Sequence, residues 1–122
     1  MKHVKPCYFV GPSKRDISAM PDDVKTAFGA AFFVAQTGGE VESAKALKGF
    51  GGRGVLEVIE NHNGDTYRGV YTVRFSTGIY VLHAFQKKSK SGIATPKHEI
   101  ELVKARLKDA EAWHHQLIKG DG

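Results

Sequence analysis

The chain has 122 residues, of which 41% are hydrophobic and 25% are charged, and its formal net charge at pH 7 is +5. A chain of this length can bury one hydrophobic core without disulfide bonds or a structural metal, so we expect a single domain over residues 1–122. It contains neither an apolar run long enough to span a bilayer nor a secretory signal, so we expect a cytoplasmic protein with no membrane partner. Cys7 is the only cysteine, which excludes an intramolecular disulfide and a thiolate metal cluster.

The positive charge is concentrated in one stretch. Residues 87–108 carry seven Lys or Arg against two Asp or Glu. Such an excess favours a polyanion or an acidic protein as partner, although a solvated lysine-rich loop would give the same count.

The first elements are a strand and two helices. Residues 5–10 are typical of a short strand, and Ser13 is predicted to cap a short helix, with Asp16 placed to reach back to the cap. Pro21 opens a second helix, where its missing N–H is harmless. The apolar side chains of this helix recur at helical spacing and should bury one face on a sheet: Val24, Phe28, Ala31, Phe32 and Ala35.

Residues 40–54 combine a possible helical turn at 43–47 with a loop that has four glycines among residues 48–54. A phosphate-cradling nucleotide loop leads into a helix, whereas this one leads into a strand, so we do not expect nucleotide binding. We expect Lys48 and Arg53 to approach a ligand backbone from the edge of the sheet.

Residues 55–86 predict a three-stranded antiparallel meander. Asn63-Gly64 suits a type I′ hairpin turn, and residues 76–78 supply the second turn. Alternation in the middle strand places Tyr67 on one face and Arg68 on the other. We expect the aromatic face to pack on the helices and the arginine face to be open.

The third strand of the meander ends in lysines. Alternation puts His83 and Lys87 on the face of Ile79 and Val81, with Lys88 on the opposite face. It does not decide which of the two lysines joins Arg68.

The last element is a long amphipathic helix that begins at Thr95-Pro96. This helix either packs on the domain or binds a partner through one apolar stripe. The stripe consists of Ile100, Val103, Leu107, Ala110, Trp113 and Leu117. The order of the elements predicts an α+β fold, and the simplest packing of these elements is a two-layer sandwich. We expect a small antiparallel-rich sheet, formed by the N-terminal strand and the meander, with the two N-terminal helices on one face.

The chemistry available to the chain is that of Arg, Lys and His beside one sheet. The histidines are too scattered for a metal site, and we predict neither a metal nor another cofactor. Lys, His, Glu and Arg can together activate the 2′-hydroxyl of RNA, neutralise the phosphorane and protonate the leaving oxygen. A groove that only binds phosphates needs the same residue types, and His83 would equally suit a buried, hydrogen-bonded position.

The chain resembles the RelE/HigB superfamily of toxins from bacterial toxin–antitoxin pairs, in particular its phage-derived HigB-like branch. The strongest part of the resemblance is the strand ending LHAFQKK, residues 82–88, with the helix start that follows it. The other matching pieces are Lys5-Pro6, Tyr8-Phe9, Met20-Pro21, residues 48–52, residues 67–71, residues 80–81, Thr95-Pro96 and Glu99-Ile100.

This resemblance implies a RelE-like fold and a toxin that inhibits translation as a messenger-RNA endoribonuclease in the ribosomal A site, without a metal. It also implies a small helix-turn-helix antitoxin as the inhibitory partner. Arg68 matches the arginine that contacts the scissile phosphate, and Lys87 or Lys88 matches the basic residue at the end of the last strand. We assign catalysis to these three residues and His83, and RNA binding to Lys48, Arg53, Arg74, Lys90 and Lys97.

One departure from the family concerns the general base. Some members place a C-terminal Tyr or His near the nucleotide, whereas Lys97 and His98 here open a helix. Two other functions stay open: a ParE-like toxin that poisons DNA gyrase, and a non-catalytic basic module that binds RNA or protein.

Overall fold

The computed structural model describes residues 3–52, 54–87 and 95–120. The elements in these ranges are β1 (Cys7–Phe9), α1 (Ser13–Ser18), α2 (Asp22–Gln36), β2 (Ala44–Ala46), β3 (Val55–His62), β4 (Asp65–Thr72), β5 (Ile79–Lys87) and α3 (Lys97–Gly120). The strands form one mixed sheet in the order β1-β5-β4-β3-β2. β1 pairs with β5 in parallel, and the other neighbouring strands pair antiparallel. The predicted α+β class, meander and N-terminal strand are confirmed.

The β3–β4 hairpin follows from its turn residues. Asn63 and Gly64 have φ angles of 50° and 83°, as a type I′ turn requires at both central positions. The turn fixes the register, so that His62 pairs with Asp65 and each earlier residue of β3 has one defined partner in β4.

α1 and α2 cover one face of the sheet, which we call the α2 side. The five apolar residues predicted for α2 are all buried there, against β-strand residues that include Tyr67 and Tyr71. Gly69 lies under this helix, and a Cβ at that position would lie 3.3 Å from the ring of Phe28. Full burial of a valine or phenylalanine side chain contributes about 1.5–3 kcal/mol to folding, so Val24, Phe28 and Phe32 make this interface a large part of the core.

The predicted cap of α1 is wrong in detail. Pro12 occupies the N-cap, and Ser13 is the first helical residue. The Ser13 hydroxyl is fully buried and donates a hydrogen bond of 3.2 Å to the carbonyl of Val81. It therefore ties α1 to β5 instead of capping the helix, which satisfies a buried hydroxyl that would otherwise be costly.

α3 covers the opposite face, which we call the α3 side. Val103 and Ala110 are fully buried on it, and Ile100, Leu107 and Trp113 pack around them. The apolar stripe of α3 therefore packs on its own domain. Two predictions are wrong here: the molecule has three layers instead of two, and the arginine face of the sheet is covered instead of open.

Residues 43–47 were predicted as a possible helical turn, and the structure has a strand there. β2 pairs antiparallel with β3, with Lys45 opposite Glu57. The amide of Leu47 then donates to the carbonyl of Val55 at 3.0 Å, and the Leu47 side chain is buried in the core. Pairing with the open edge of β3 satisfies these backbone groups, and this tertiary contact overrides the weak local helix preference.

None of the helices within the described ranges has the length and apolar content needed to cross a bilayer.

Candidate functional site

A register irregularity between β4 and β5 decides which side chains share the α3 side. Val70 pairs with His83, whereas the next residue, Tyr71, pairs with Val81, so Leu82 is an extra residue in β5. Such a bulge changes the facing of all residues beyond it. The prediction that His83 and Lys87 share a face with Ile79 and Val81 is therefore wrong, because Ile79 and Val81, before the bulge, pack on the α2 side.

Lys87 is the lysine that joins Arg68. It pairs with Thr66, two residues before Arg68 in β4, and directly paired residues of antiparallel strands point to the same face. Lys88 lies outside the described residues.

Arg68 is buried in an ion pair. Its side chain is 4% exposed, and its Nη1 donates to Oε1 of Glu57 at 3.0 Å, while the Glu57 side chain is 1% exposed. Thr95, just before α3, donates to Oε2 of Glu57 at 2.7 Å and accepts from Nη1 of Arg68 at 3.2 Å. The expectation that Arg68 projects from an open face is thus wrong. The Nε of Arg68 is also buried. In the described part of the chain, it is the one buried side-chain nitrogen or oxygen that has no hydrogen-bond partner.

Glu57 is the site residue that the sequence interpretation missed. In the β3–β4 register Glu57 lies opposite Val70, and Ile59 lies opposite Arg68, so the two charged residues are diagonal neighbours on one face. The signal was available, since a two-residue turn at Asn63-Gly64 pairs residues in this register.

Two lysines stand close to this pair. The Lys87 side chain is buried, and burial lowers the pKa of its ammonium. The positive charges of Arg68 and Lys45 lower this pKa further, while Glu57 raises it. Lys45 is exposed on the edge strand. Three cationic groups and one carboxylate therefore meet across the four neighbouring strands β2, β3, β4 and β5.

An opening leads to Glu57 from the surface. It has a volume of about 190 Å³ and lies between β2 and the start of α3. Its polar lining is Lys45, Lys48, Glu57 and Thr95, completed by Ala46, Leu47 and Ile100. We call it the basic pocket. Its volume is large enough for a phosphate group, and it has two exposed lysines at its rim and the buried carboxylate of Glu57 at its base.

His83 is held between two charged residues of α3. Arg106 Nη1 lies 2.7 Å from Nδ1 of His83, and Glu99 Oε1 lies 2.9 Å from Nε2. A guanidinium can only donate, so Nδ1 must accept and the ring proton must lie on Nε2, where it is donated to Glu99. Both ring nitrogens are occupied, as in the buried, hydrogen-bonded interpretation. This arrangement fastens α3 to β5.

The remaining predicted site residues are dispersed. Lys48 is exposed at the rim of the basic pocket, and Lys97 is exposed in the first turn of α3. Arg74 lines a different groove, between residues 49–50 and the outer side of α3. Arg53 and Lys90 lie outside the described residues. Within the described part of the chain, no three His, Cys, Asp or Glu side chains are grouped so that they could hold a metal ion.

The fold and the pocket define a small α+β protein whose central sheet carries a buried polar cluster under its C-terminal helix. The family model described as phage derived protein Gp49-like (DUF891) matches residues 15–108. Since this match covers most of the chain, the protein belongs to the Gp49-like family. Glu57, Arg68, Lys87 and the residues that contact His83 all lie within the matched range. No curated protein and no solved structure gives a significant match.

Proposed function

We propose that the protein is the toxin of a toxin–antitoxin pair and that it inhibits translation by cleaving messenger RNA on the ribosome. The Gp49-like family is associated with RelE-like toxins, which supports the coarser part of this proposal. The observation that carries the finer part is the ion pair of Arg68 with Glu57, with the charge of Lys87 close to both residues and Lys45 opposite Glu57 in the sheet. A helix-turn-helix antitoxin would be the inhibitory partner, as the resemblance implies.

The charges suit RNA cleavage by the neighbouring 2′-hydroxyl. Glu57 takes the proton of this hydroxyl, and the resulting oxyanion forms a bond to phosphorus. Arg68 and Lys87 neutralise the extra negative charge of the phosphorane. The bond between phosphorus and the 5′-oxygen then breaks, and the leaving oxygen takes a proton. The products are a 2′,3′-cyclic phosphate and a 5′-hydroxyl.

Lys87 is suited to supply that last proton. An ordinary lysine is a weak acid at neutral pH, and a lowered pKa brings an ammonium closer to the range in which it donates efficiently. Burial and the charge of Arg68 act on Lys87 in this direction. Lys45 and Lys48, at the rim of the basic pocket, would hold the phosphates on either side of the scissile one.

The burial of Arg68 sets a condition on substrate binding. In the structure its Nη1 is shared between Glu57 and Thr95. A phosphate that enters through the basic pocket therefore has to displace Thr95 from Nη1, or bind to the Nε that has no partner. The same burial is the observation that favours the non-catalytic alternative, because mutually satisfied polar groups also serve to fix α3 on the sheet.

Expression without an antitoxin tests the proposal at the level of the cell. We expect growth arrest in which protein synthesis, followed by pulse labelling, falls before DNA synthesis, together with cleavage of transcripts. If DNA synthesis fell first while transcripts stayed intact, a gyrase-directed toxin would be the better account.

A further inference from the structure

The outward side of the second half of α2 has no charged residue. Residues 26–39 contain no Asp, Glu, Lys or Arg, although 25% of the chain is charged. The exposed residues of α2 in this range recur at helical spacing, and we call them the α2 face: Thr26, Gly29, Ala30, Phe33 and Val34. An uncharged helix face of this length is unusual for a surface that contacts only water.

Large apolar side chains are concentrated around this face. Phe33 is 56% exposed, Val34 is 37% exposed, and Val4 on the neighbouring N-terminal segment is 47% exposed. That segment is fixed to the end of α2, because the Lys5 amide donates to the Gln36 carbonyl at 2.9 Å and the Gln36 side chain donates to the Lys5 carbonyl at 2.7 Å. A contiguous exposed apolar patch indicates an interaction surface.

Gly29 at the centre of the face leaves room for a close neighbour. A Cβ at this position would meet no atom within 4 Å, so nothing inside the chain requires glycine there. Glycine lowers helix stability relative to alanine, and it also lets a second helix approach most closely.

We propose that the α2 face is a contact between two copies of this chain, with their α2 helices antiparallel about a two-fold axis between Gly29 and Ala30. This symmetry places Phe33 of one copy over Thr26 of the other, a large side chain over a smaller one. Antiparallel helices also bring opposite ends of their dipoles together. The contact is isologous and closes on itself as a dimer.

Charge complementarity supports a second copy as the occupant. The same two-fold axis brings Asp23 of one copy to Gln36 of the other, and the main chain of Lys5 is hydrogen-bonded to that glutamine, which places Lys5 beside this end of α2. The Asp23 side chain is 89% exposed. Each end of the contact would therefore pair an aspartate with a lysine, whereas the uncharged centre avoids repulsion between two chains that each carry a net charge of +5.

The proposal does not depend on the proposed nuclease function. α2 and the basic pocket belong to opposite faces of the sheet, so a dimer through the α2 face leaves the pocket free. A failure of one proposal leaves the other standing.

Sedimentation equilibrium of the purified full chain tests the proposal. We expect a dimer whose dissociation constant rises about thirtyfold or more in Phe33→Glu, as for a central interface residue. Leu102→Glu, at a residue of α3 that is 40% exposed, is the matched control and should leave the dimer intact. Thermal unfolding verifies that each variant is folded.

A charge reversal tests the antiparallel arrangement. Lys5→Glu and Asp23→Lys should each weaken the dimer, and the two together should restore it. A wild-type chain that is monomeric throughout the micromolar range would overturn the proposal, as would a dimer that Phe33→Glu leaves unchanged. A monomer that loses antitoxin binding in Phe33→Glu would also overturn it and assign the face to the antitoxin.

Discussion

Nη1 of Arg68 lies 3.0 Å from Oε1 of Glu57, and the structure leaves both side chains almost no contact with solvent. In a buried ion pair the cost of desolvation offsets much of the attraction, so the pair is not by itself a large source of stability. Loss of one partner, however, leaves an uncompensated buried charge. The residues that we propose for catalysis are therefore also residues on which the packing of α3 depends, and stability has to be measured in every variant.

The first prediction concerns this ion pair. Arg68→Ala should lower the free energy of unfolding by about 3–5 kcal/mol, because it leaves the buried Glu57 carboxylate without its opposite charge. Replacing both residues by apolar ones of similar size, Arg68→Met with Glu57→Leu, should recover much of that loss. Urea denaturation measures both effects. An unfolding free energy that Arg68→Ala leaves unchanged would mean that the pair does not form in solution.

The second prediction concerns the tautomer of His83. Because Arg106 donates to Nδ1, the ¹⁵N NMR spectrum at neutral pH should show a protonated Nε2 and an unprotonated Nδ1. Arg106→Leu together with Glu99→Leu removes both partners of the ring and should let both tautomers appear. A wild-type ring that carries its proton on Nδ1 would contradict the described contact between α3 and β5.

The third prediction is alkaline destabilisation through Cys7. Burial raises the pKa of this thiol from 9.0 to about 11, so in this range the thiol is ionised in the unfolded chain and protonated in the folded one. The folded state then binds more protons than the unfolded chain. The stabilisation that comes from the buried thiol is fully present below about pH 9, and it is lost as the pH rises towards 11. Urea midpoints at about pH 8 and about pH 10.5 measure the fall, which Cys7→Ala should reduce.

An equal fall in Cys7→Ala would instead assign the effect to other groups. Tyr71 is one of them, since burial raises the pKa of its phenol to about 12.

Much of the fold follows from local signals in the sequence. The apolar spacing of α2 gives its buried side, Asn63-Gly64 gives the hairpin, and the stripe from Ile100 onwards gives α3. Each of these depends on residues that are close together along the chain.

The errors concern relations between distant segments. The extra residue Leu82 has no signature in an apolar strand, yet it decides which side chains of β5 face α3. β2 is a strand only because β3 offers it an edge. The stripe of α3 fits any apolar surface, so the sequence does not say that it covers Arg68.

The candidate site was predicted only in part, because its formation also depends on relations between distant segments. Alternation found that Arg68 faces away from Tyr67, and the resemblance selected Arg68 and one of the two lysines Lys87 and Lys88. Glu57 was overlooked although the hairpin turn fixes the register that brings it beside Arg68, whereas the burial of the site depends on α3 and has no local signal. Whether these residues act in catalysis stays a prediction.

The fourth prediction separates the lysines by their positions. Lys87→Ala should slow RNA cleavage about a hundredfold or more, since it removes a cation and proton donor at the reacting phosphate. Lys45→Ala, at the exposed rim, should mainly weaken binding and reduce its salt dependence. Lys104→Ala, on the outer side of α3, is the matched control and should cleave normally. Equal rates for Lys87→Ala and Lys104→Ala would remove Lys87 from the site.

The most direct test of the nuclease proposal is the cleavage rate of Glu57→Gln. This change keeps the size of the side chain and one hydrogen-bond acceptor for Arg68, while it removes the proposed base. Primer extension on ribosome-bound message incubated with purified protein measures the rate, and thermal unfolding verifies the fold. We expect the wild type to leave 2′,3′-cyclic phosphate ends and the variant to cleave about a hundredfold more slowly or worse. A wild type that leaves the message intact, or a folded Glu57→Gln that cleaves at the wild-type rate, would contradict the account.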